Sequence, residues 1–356
     1  MLALTFPSGQ HIGNAVRQPR AATNKVRIEE VARVAGVSPI TVSRALNTPD
    51  KVHETTRAAV LQAVEQTGYI PNRLAGSLAS SRSRTVGVII PTITNSIFAD
   101  KIRGLSDTLT PAGYQILLGQ SGYDLDTEAA LVSAFLAQSP SGIVVTGSAH
   151  SPRTETILNR SGIALVETWT RRADPLDMQV GFSNEDAAYD MVHHLHDCGY
   201  RRIALVVAPY DHNDRALGRL HGYRRAVADL GAASAELELQ AEYSFREGAR
   251  ALTEVLGARP DTDAIFFAND ILAVGAMLEC QRRGIRVPQD IGIAGFDDLE
   301  IAAVSVPSLT TVAVPRYEIG VKAAQLLLQR INGETPESGV DLGFSIVQRG
   351  STRAAA

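Results

Sequence analysis

Cysteine is nearly missing: the 356 residues include two, Cys198 and Cys280, with no CxxC spacing. That excludes a disulfide framework and a thiolate zinc site as organising devices, and it fits a reducing cytoplasm. No run approaches the roughly 18 consecutive apolar residues that cross a bilayer, so no membrane partner is expected. The first 24 residues lack the basic-then-apolar layout of a secretion signal. Residues 1–24 read instead as a disordered arm, or as a start codon placed too early. GxGxxG, the Walker loop, GxSxG and HExxH are all missing. Without those phosphate-cradling and nucleophile motifs, the expectation is a chain that is not an enzyme and carries no cofactor. His193, His194 and His196 cluster without a carboxylate or cysteine spacing to complete a metal site. Trp169 and Phe182 read as core or cleft wall.

What is there looks like a soluble protein of two or three domains, 45% hydrophobic and 20% charged. The net charge of −4 conceals an asymmetry. Residues 25–84 carry nine Lys/Arg against five Asp/Glu, whereas the chain from Thr85 onward carries 23 against 33. A basic head on an acidic body suggests that one end meets a polyanion.

The texture also changes near residue 85. The head shows helical patterns over 27–35, 39–46 and 54–66, then the stop and turn Gly68-Tyr69-Ile70-Pro71 and a polar linker over 80–84. Beyond it, apolar runs at 86–90, 115–118, 142–145, 164–166, 203–207, 264–267 and 291–294 alternate with helical stretches. Continuous apolar strands separated by helices predict parallel sheets covered on both faces, and the length predicts two lobes.

The segment Ile28–Asn47 is the most specific signal. Ala32 is small enough for two helices to approach, Gly36 supplies a left-handed helix end, Ser38 caps a second helix, and Pro39 occupies its first position. Ile28, Val31, Val37, Val42 and Leu46 can fix the angle between the helices. The second helix then projects Pro39, Ile40, Thr41, Ser43 and Arg44, the face that enters the major groove in a helix-turn-helix. Arg44 can fork onto a guanine edge and Ile40 can pack on a thymine methyl, while Thr41 and Ser43 suit phosphates.

On those residues the chain closely resembles the lac-repressor (LacI/GalR) family of regulators. The resemblance continues through Val52-His53-Glu54-Thr55-Thr56-Arg57 and Gly68-Tyr69-Ile70-Pro71-Asn72 to about Arg349. It implies an all-α helix-turn-helix head over 25–71, a hinge helix and linker over 72–84, and a body over 85–349. The body is expected to be α/β and periplasmic-binding-protein-like, with two doubly wound lobes. The first lobe would comprise about 85–185 and 315–333, the second about 186–312 and 334–348. The set expected at DNA becomes Arg27, Ser38, Pro39, Ile40, Thr41, Ser43, Arg44 and Asn47, with Asn72, Arg73, Ala75 and Leu78 from the hinge. The resemblance makes Leu78 a wedge in the minor groove, where an inserted apolar side chain kinks the duplex. Eight hinge residues cannot hold a helix alone in water, so Leu78 as plain linker stays open.

Paired lobes of this kind bind ligands outside the carboxyl ends of their strands. Asn95 and Phe98 after the first strand, Arg219, Tyr243, Asn269 and Asp297 match the family's effector pocket. Asn269 could equally be a helix cap, and Arg219 a surface ion pair. Stretches such as Ile93-Thr94-Asn95-Ser96-Ile97-Phe98 and Asp341-Leu342-Gly343-Phe344 look like gluconate-type repressors, which implies a sugar-acid effector. Ser183 departs from the family's usual aspartate, and 215–219 departs from the gluconate pattern. The partners expected are therefore operator DNA, a sugar-like or sugar-acid effector, and a second copy in a homodimer. A solute-binding transport protein would share the body but not the added head.

Overall fold

The computed structural model describes residues 26–70, 83–231 and 237–354. It divides into a helical head within 1–81 and a body within 82–356.

In the head, α1 (Ile28–Ala35), α2 (Pro39–Asn47) and α3 (Glu54–Thr67) enclose a small core of Val31, Ala32, Val42, Ala45, Val60 and Ala63. Ile28, Val37 and Leu46 pack at its margin. Gly36 ends α1 at φ 67°, a conformation that a side chain would strain. Its freedom there sets the turn. Ser38 then accepts a hydrogen bond from the Thr41 amide at 3.1 Å, and Pro39 takes the position where no donor is needed.

The body holds two six-stranded sheets. The first contains β1 (Thr85–Ile90), β2 (Gln115–Gln120), β3 (Gly142–Thr146), β4 (Ala164–Thr168), β5 (Met178–Gly181) and β11 (Gly339–Asp341), in the order β2-β1-β3-β4-β5-β11. The second contains β6 (Ile203–Val207), β7 (Glu238–Gln240), β8 (Ala264–Phe267), β9 (Gly292–Asp297), β10 (Thr310–Ala313) and β12 (Ser345–Val347), in the order β7-β6-β8-β9-β10-β12. All pairings are parallel except that of β10 with β12. Each sheet therefore reverses its order once, between β1 and β3 and between β6 and β8. Those switch points are where open α/β sheets take ligands.

Alternating side chains divide the interior. Val86, Val88, Ile90, Val144 and Val166 join one core on one face of the first sheet, while Ile89, Ile143, Val145 and Leu165 form another on the opposite face. The second sheet repeats this split, with Leu205, Val207, Phe266 and Phe296 on one side and Ala204, Val206, Ile265 and Phe267 on the other. Both faces are thus covered, as apolar strands require. One core runs through both lobes.

The chain returns to the first lobe in the helix Arg316–Ile331, which packs on the helix Ile97–Leu109 and on β4 and β5. The two helices touch backbone to backbone. A methyl at Gly104 would strike the Tyr317 carbonyl, and one at Gly320 would strike the Lys101 carbonyl. One boundary differs from expectation. Residues 334–348 were assigned to the second lobe, yet β11 pairs with β5 in the first sheet, Val340 opposite Val180. Three residues are too few to carry a periodicity, and β5, β7, β10 and β12, three or four residues each with a polar residue among them, carry no apolar run either.

Candidate functional site

Two faces concentrate the residues singled out in the sequence, one on the head and one in the body. On α2, Val42 and Ala45 are buried, while Ser38, Pro39, Ile40 and Arg44 are exposed. Ile40 is 64% exposed, an apolar side chain left in solvent on a folded helix. Positions 40, 43 and 44 share one helical face, so Ile40, Ser43 and Arg44 form a continuous strip. Arg27 is exposed just before α1, and Asn47 is the last residue of α2. Asn72, Arg73, Ala75 and Leu78 lie outside the described residues.

In the body the carboxyl ends of the strands face a cleft. The helix after β1 brings Asn95 and Phe98 there, both buried. Asn95 Oδ1 accepts from the Ile97 amide at 3.3 Å, and its Nδ2 has no partner. Phe98 begins a chain of rings through Trp169, Phe182 and Phe296 that passes from one lobe to the other, with centroids 5.7 to 6.3 Å apart. From the second lobe, Asp297 ends β9 at φ 108°, a conformation rarely tolerated outside glycine. Asn269 Nδ2 donates to Asp297 Oδ2 at 2.6 Å, while Asn269 Oδ1 caps its helix through the Ile271 amide at 2.9 Å. It is therefore the helix cap weighed for it, and it holds the Asp297 carboxylate as well. Asp297 Oδ1 has no hydrogen-bond partner. Burial raises the Asp297 carboxyl to about 6, although Arg219 and Arg316 nearby oppose the rise.

Arg219 is not on the surface. It is buried, with Nε donating to Asn184 Oδ1 at 3.0 Å and Nη1 to the Ala268 carbonyl at 2.6 Å. Its guanidinium lies 3.7 Å from the Phe296 ring centroid, and Nη2 is 3.8 Å from Asp297 Oδ1. Much of its donor capacity is thus already engaged. Tyr243 stands across from Tyr123 at 6.2 Å, and its hydroxyl accepts from Asn213 Nδ2 at 3.4 Å.

Several residues here escaped the sequence reading. Asp214 accepts from the Ser148 amide at 2.9 Å and the Ser148 hydroxyl at 3.0 Å, tying the lobes together. Burial works against its charge, but Arg215 and the Ser148 bonds more than offset that, so the carboxyl sits below its usual range. Arg316 joins the lobes on another side, through Asp100 Oδ2 at 3.0 Å and the carbonyls of Asp297 and Asp298. Lys101 is fully buried among Thr146 and Thr168. The signals existed. Asp214 and Arg215 follow a strand as Asn95 does, and Lys101 interrupts the apolar series Ile97, Phe98, Leu105 at helical spacing. Between the lobes, Pro91, Ser121, Tyr123, Thr146 and Arg215 line a cavity of about 20 Å³. That is room for roughly one water, so a sugar-sized guest requires the lobes to part.

A larger open hollow of about 450 Å³ lies beside Ala164, Leu176, Asp177 and Arg330. Ala164 begins β4, so this hollow is at the amino end of the strand, and its two charged residues pair with each other. The cleft is the better candidate because buried polar atoms without hydrogen-bond partners stand at the carboxyl ends of strands in both lobes. The three histidines have ordinary neighbours: His193 packs on Tyr189 at 4.4 Å, His194 Nε2 lies 3.6 Å from Cys198 Sγ, and His196 Nδ1 lies 3.9 Å from Asp197 Oδ1. Among the described residues no helix is long and apolar enough to cross a membrane.

Comparison with known proteins places both parts. Residues 27–72 match the family model for bacterial regulatory proteins of the lacI family, and residues 192–352 match that for a periplasmic binding protein-like domain. The transcriptional regulator GntR of Escherichia coli K12 is 36% identical over 326 residues, covering 91% of this chain and 98% of that protein. A LacI-family regulator from Silicibacter pomeroyi superposes with a TM-score of 0.86 at 30% identity, over 92% of this chain and all of that one. The lac repressor dimer bound to operator and an anti-inducer gives 0.82 at 26% identity, over 92% and 99%.

Proposed function

Since the chain belongs to the LacI family of DNA-binding transcriptional regulators, we propose that it is a homodimeric repressor whose hold on a pseudo-palindromic operator is set by a sugar-acid effector, gluconate or a related aldonate. The relatives at 36% identity named GntR support the aldonate reading. The observation that carries the ligand site is that Asn95 Nδ2 and Asp297 Oδ1, buried polar atoms without hydrogen-bond partners, both stand at the carboxyl ends of strands, one in each lobe. Hydroxyls satisfy such atoms in pairs, and an unmade buried hydrogen bond costs about 1–3 kcal/mol. Phe98, Arg219, Tyr243 and Asn269 complete the pocket in this reading.

On the operator, Arg44 reads a guanine, Ile40 a thymine methyl, and Thr41, Ser43, Ser38, Arg27 and Asn47 hold phosphates beside Pro39. Asn72, Arg73, Ala75 and Leu78 belong to the same set, with Leu78 as wedge. The effector acts by binding one separation of the lobes better than another, which biases the spacing of the two hinge segments in the dimer. The protein works in the cytoplasm.

A mobility shift on DNA from upstream of its own gene, titrated with gluconate, idonate, galactonate and neutral sugars, tests this. The expected result is a retarded complex whose midpoint moves with an aldonate and not with a neutral sugar. No preference for any duplex over bulk competitor, with and without these metabolites, would overturn the proposal.

A further inference from the structure

Lys101 is completely buried, and its acceptors among the described residues are two hydroxyls, Thr146 Oγ1 at 2.6 Å and Thr168 Oγ1 at 3.3 Å. Both hydroxyls spend their own protons elsewhere. Thr146 donates to the Ile89 carbonyl at 3.1 Å and Thr168 to the Val145 carbonyl at 2.6 Å, so each can only accept from the amine. A lysine ammonium has three donors, and one is left over. No carboxylate of the described residues forms an ion pair with it. Burial, with the cation Arg215 acting in the same direction, holds the amine well below the usual lysine range. A buried amine with no carboxylate beside it gains its charge only when an anion is brought to it, so its burial asks for a reason.

Its position supplies one. Thr146 lines the cavity between the lobes, together with Ser121, Tyr123 and Arg215. Arg215 carries one carboxylate, Asp214, which is itself taken by Ser148. The other carboxylates of the cavity are committed as well, Asp124 to the Thr127 amide and Glu128 to His150, so Arg215 and the Lys101 amine are the groups there that an incoming anion can meet. Arg219, the cation expected in the effector pocket, is engaged by Asn184, Ala268 and Phe296.

We propose that Lys101 is the carboxylate-recognising residue of the ligand site, seating the acid group of a polyhydroxy acid with Arg215 beside it, while Asn95 and Asp297 take its hydroxyls. This rests on the sugar-acid reading above and specifies which end of the ligand lies against the first lobe. A carboxylate brought alongside the amine favours its protonated form, reversing the effect of burial.

The test uses full-length protein and the fluorescence of Trp169, the chain's one tryptophan, which packs edge-on to Phe98 at 5.7 Å. Wild type, Lys101→Met and Lys101→Gln are titrated with gluconate, idonate and galactonate, and with sorbitol, the alditol that replaces gluconate's carboxylate by CH2OH. Wild type should prefer its best hexonate over sorbitol by at least 100-fold. Both variants should lose on the order of 100-fold in hexonate affinity, as expected for a charge-assisted bond in a buried site. Sorbitol binding and effector-free operator affinity should stay within about threefold of wild type. The glutamine variant keeps a donor for the threonines, so a methionine variant that misfolds does not end the test. Variants that keep the hexonate preference overturn the Lys101 assignment and leave the sugar-acid reading standing. A wild type that answers to neutral sugars or to none of the hexonates overturns both.

Discussion

Replacing Arg219 by methionine probes the cleft at its most connected point. Methionine keeps an unbranched apolar stem over the Phe296 ring and removes the charge, the hydrogen bonds to Asn184 and Ala268, and the counter-ion 3.8 Å from Asp297. Breaking a buried pair from one side typically costs about 3–5 kcal/mol, because the remaining charge stays uncompensated. The penalty should depend on pH, and its sign follows from Asp297. In the wild type this carboxyl titrates at about 6, above its ordinary 3.8, so the folded state binds the proton more tightly than the unfolded one. Stability contributed by that proton is present at low pH and fades as pH rises through 6. Without Arg219 the carboxyl moves higher still, and each further pH unit below the new midpoint costs about 1.4 kcal/mol. At pH 8 the variant should therefore be more handicapped, relative to wild type, than at pH 5, by up to about 3 kcal/mol. Urea unfolding of the full chain at both pH values, followed by Trp169 fluorescence, measures this. An equal penalty at both would refute the counter-ion argument. The variant should also lose its response to effector while its head still binds DNA.

Arg44→Ala should weaken operator binding and relax selection at one base pair by about 1–3 kcal/mol, read in a randomised-operator selection; unchanged site preference would contradict the groove assignment. Ser148→Ala removes one of the two bonds that Ser148 gives Asp214 and leaves the Asp214–Arg215 pair intact. The closed cleft should lose about 1.5–3 kcal/mol, visible as a larger radius of gyration in small-angle scattering, and an unchanged scattering curve would show that the tie does not hold the lobes. His150 offers a second pH test. Burial alone would lower it, but Glu128 at 2.7 Å and Glu167 at 3.6 Å outweigh burial and raise it to about 9. A folded value above the ordinary 6.5 means stability that is full below about 6.5 and lost as pH rises through 9, worth about 3 kcal/mol. Melting temperatures from pH 6 to 9.5 should fall in the wild type and stay level in His150→Gln.

The sequence disclosed the parts of this molecule that obey local rules. Gly36, Ser38 and Pro39 announced the turn and cap, and each is found in that role. Six of the seven apolar runs match strands inside the sheets, where burial on both faces leaves no polar interruption, and the seventh, 115–118, matches the edge strand β2. What stayed hidden depended on distance. The pairing of β11 with β5 joins residues about 160 positions apart in a strand of three residues. Lys101 was overlooked because a charge within an apolar helical face ordinarily marks solvent, and only the threonines at the ends of β3 and β4 show that it points inward. Arg219 was foreseen as a ligand group, but its stacking on Phe296 could not be read without the fold.

The bare contact between Gly104 and the helix Arg316–Ile331 makes those two helices a single lever. Backbone resting on backbone, with no side chain as cushion, cannot slide by a fraction of an ångström and settle again as larger side chains do. Lys101 on one helix and Arg316 on the other sit side by side at this crossing, joined through Asp100, and the Arg316 fork grasps carbonyls of the opposite lobe. A tug felt at the lysine is therefore delivered to the grip of the arginine without loss along the way. Alanine at Gly104 or Gly320 would pry the pair apart and leave two loose ends where the molecule now has one stiff arm.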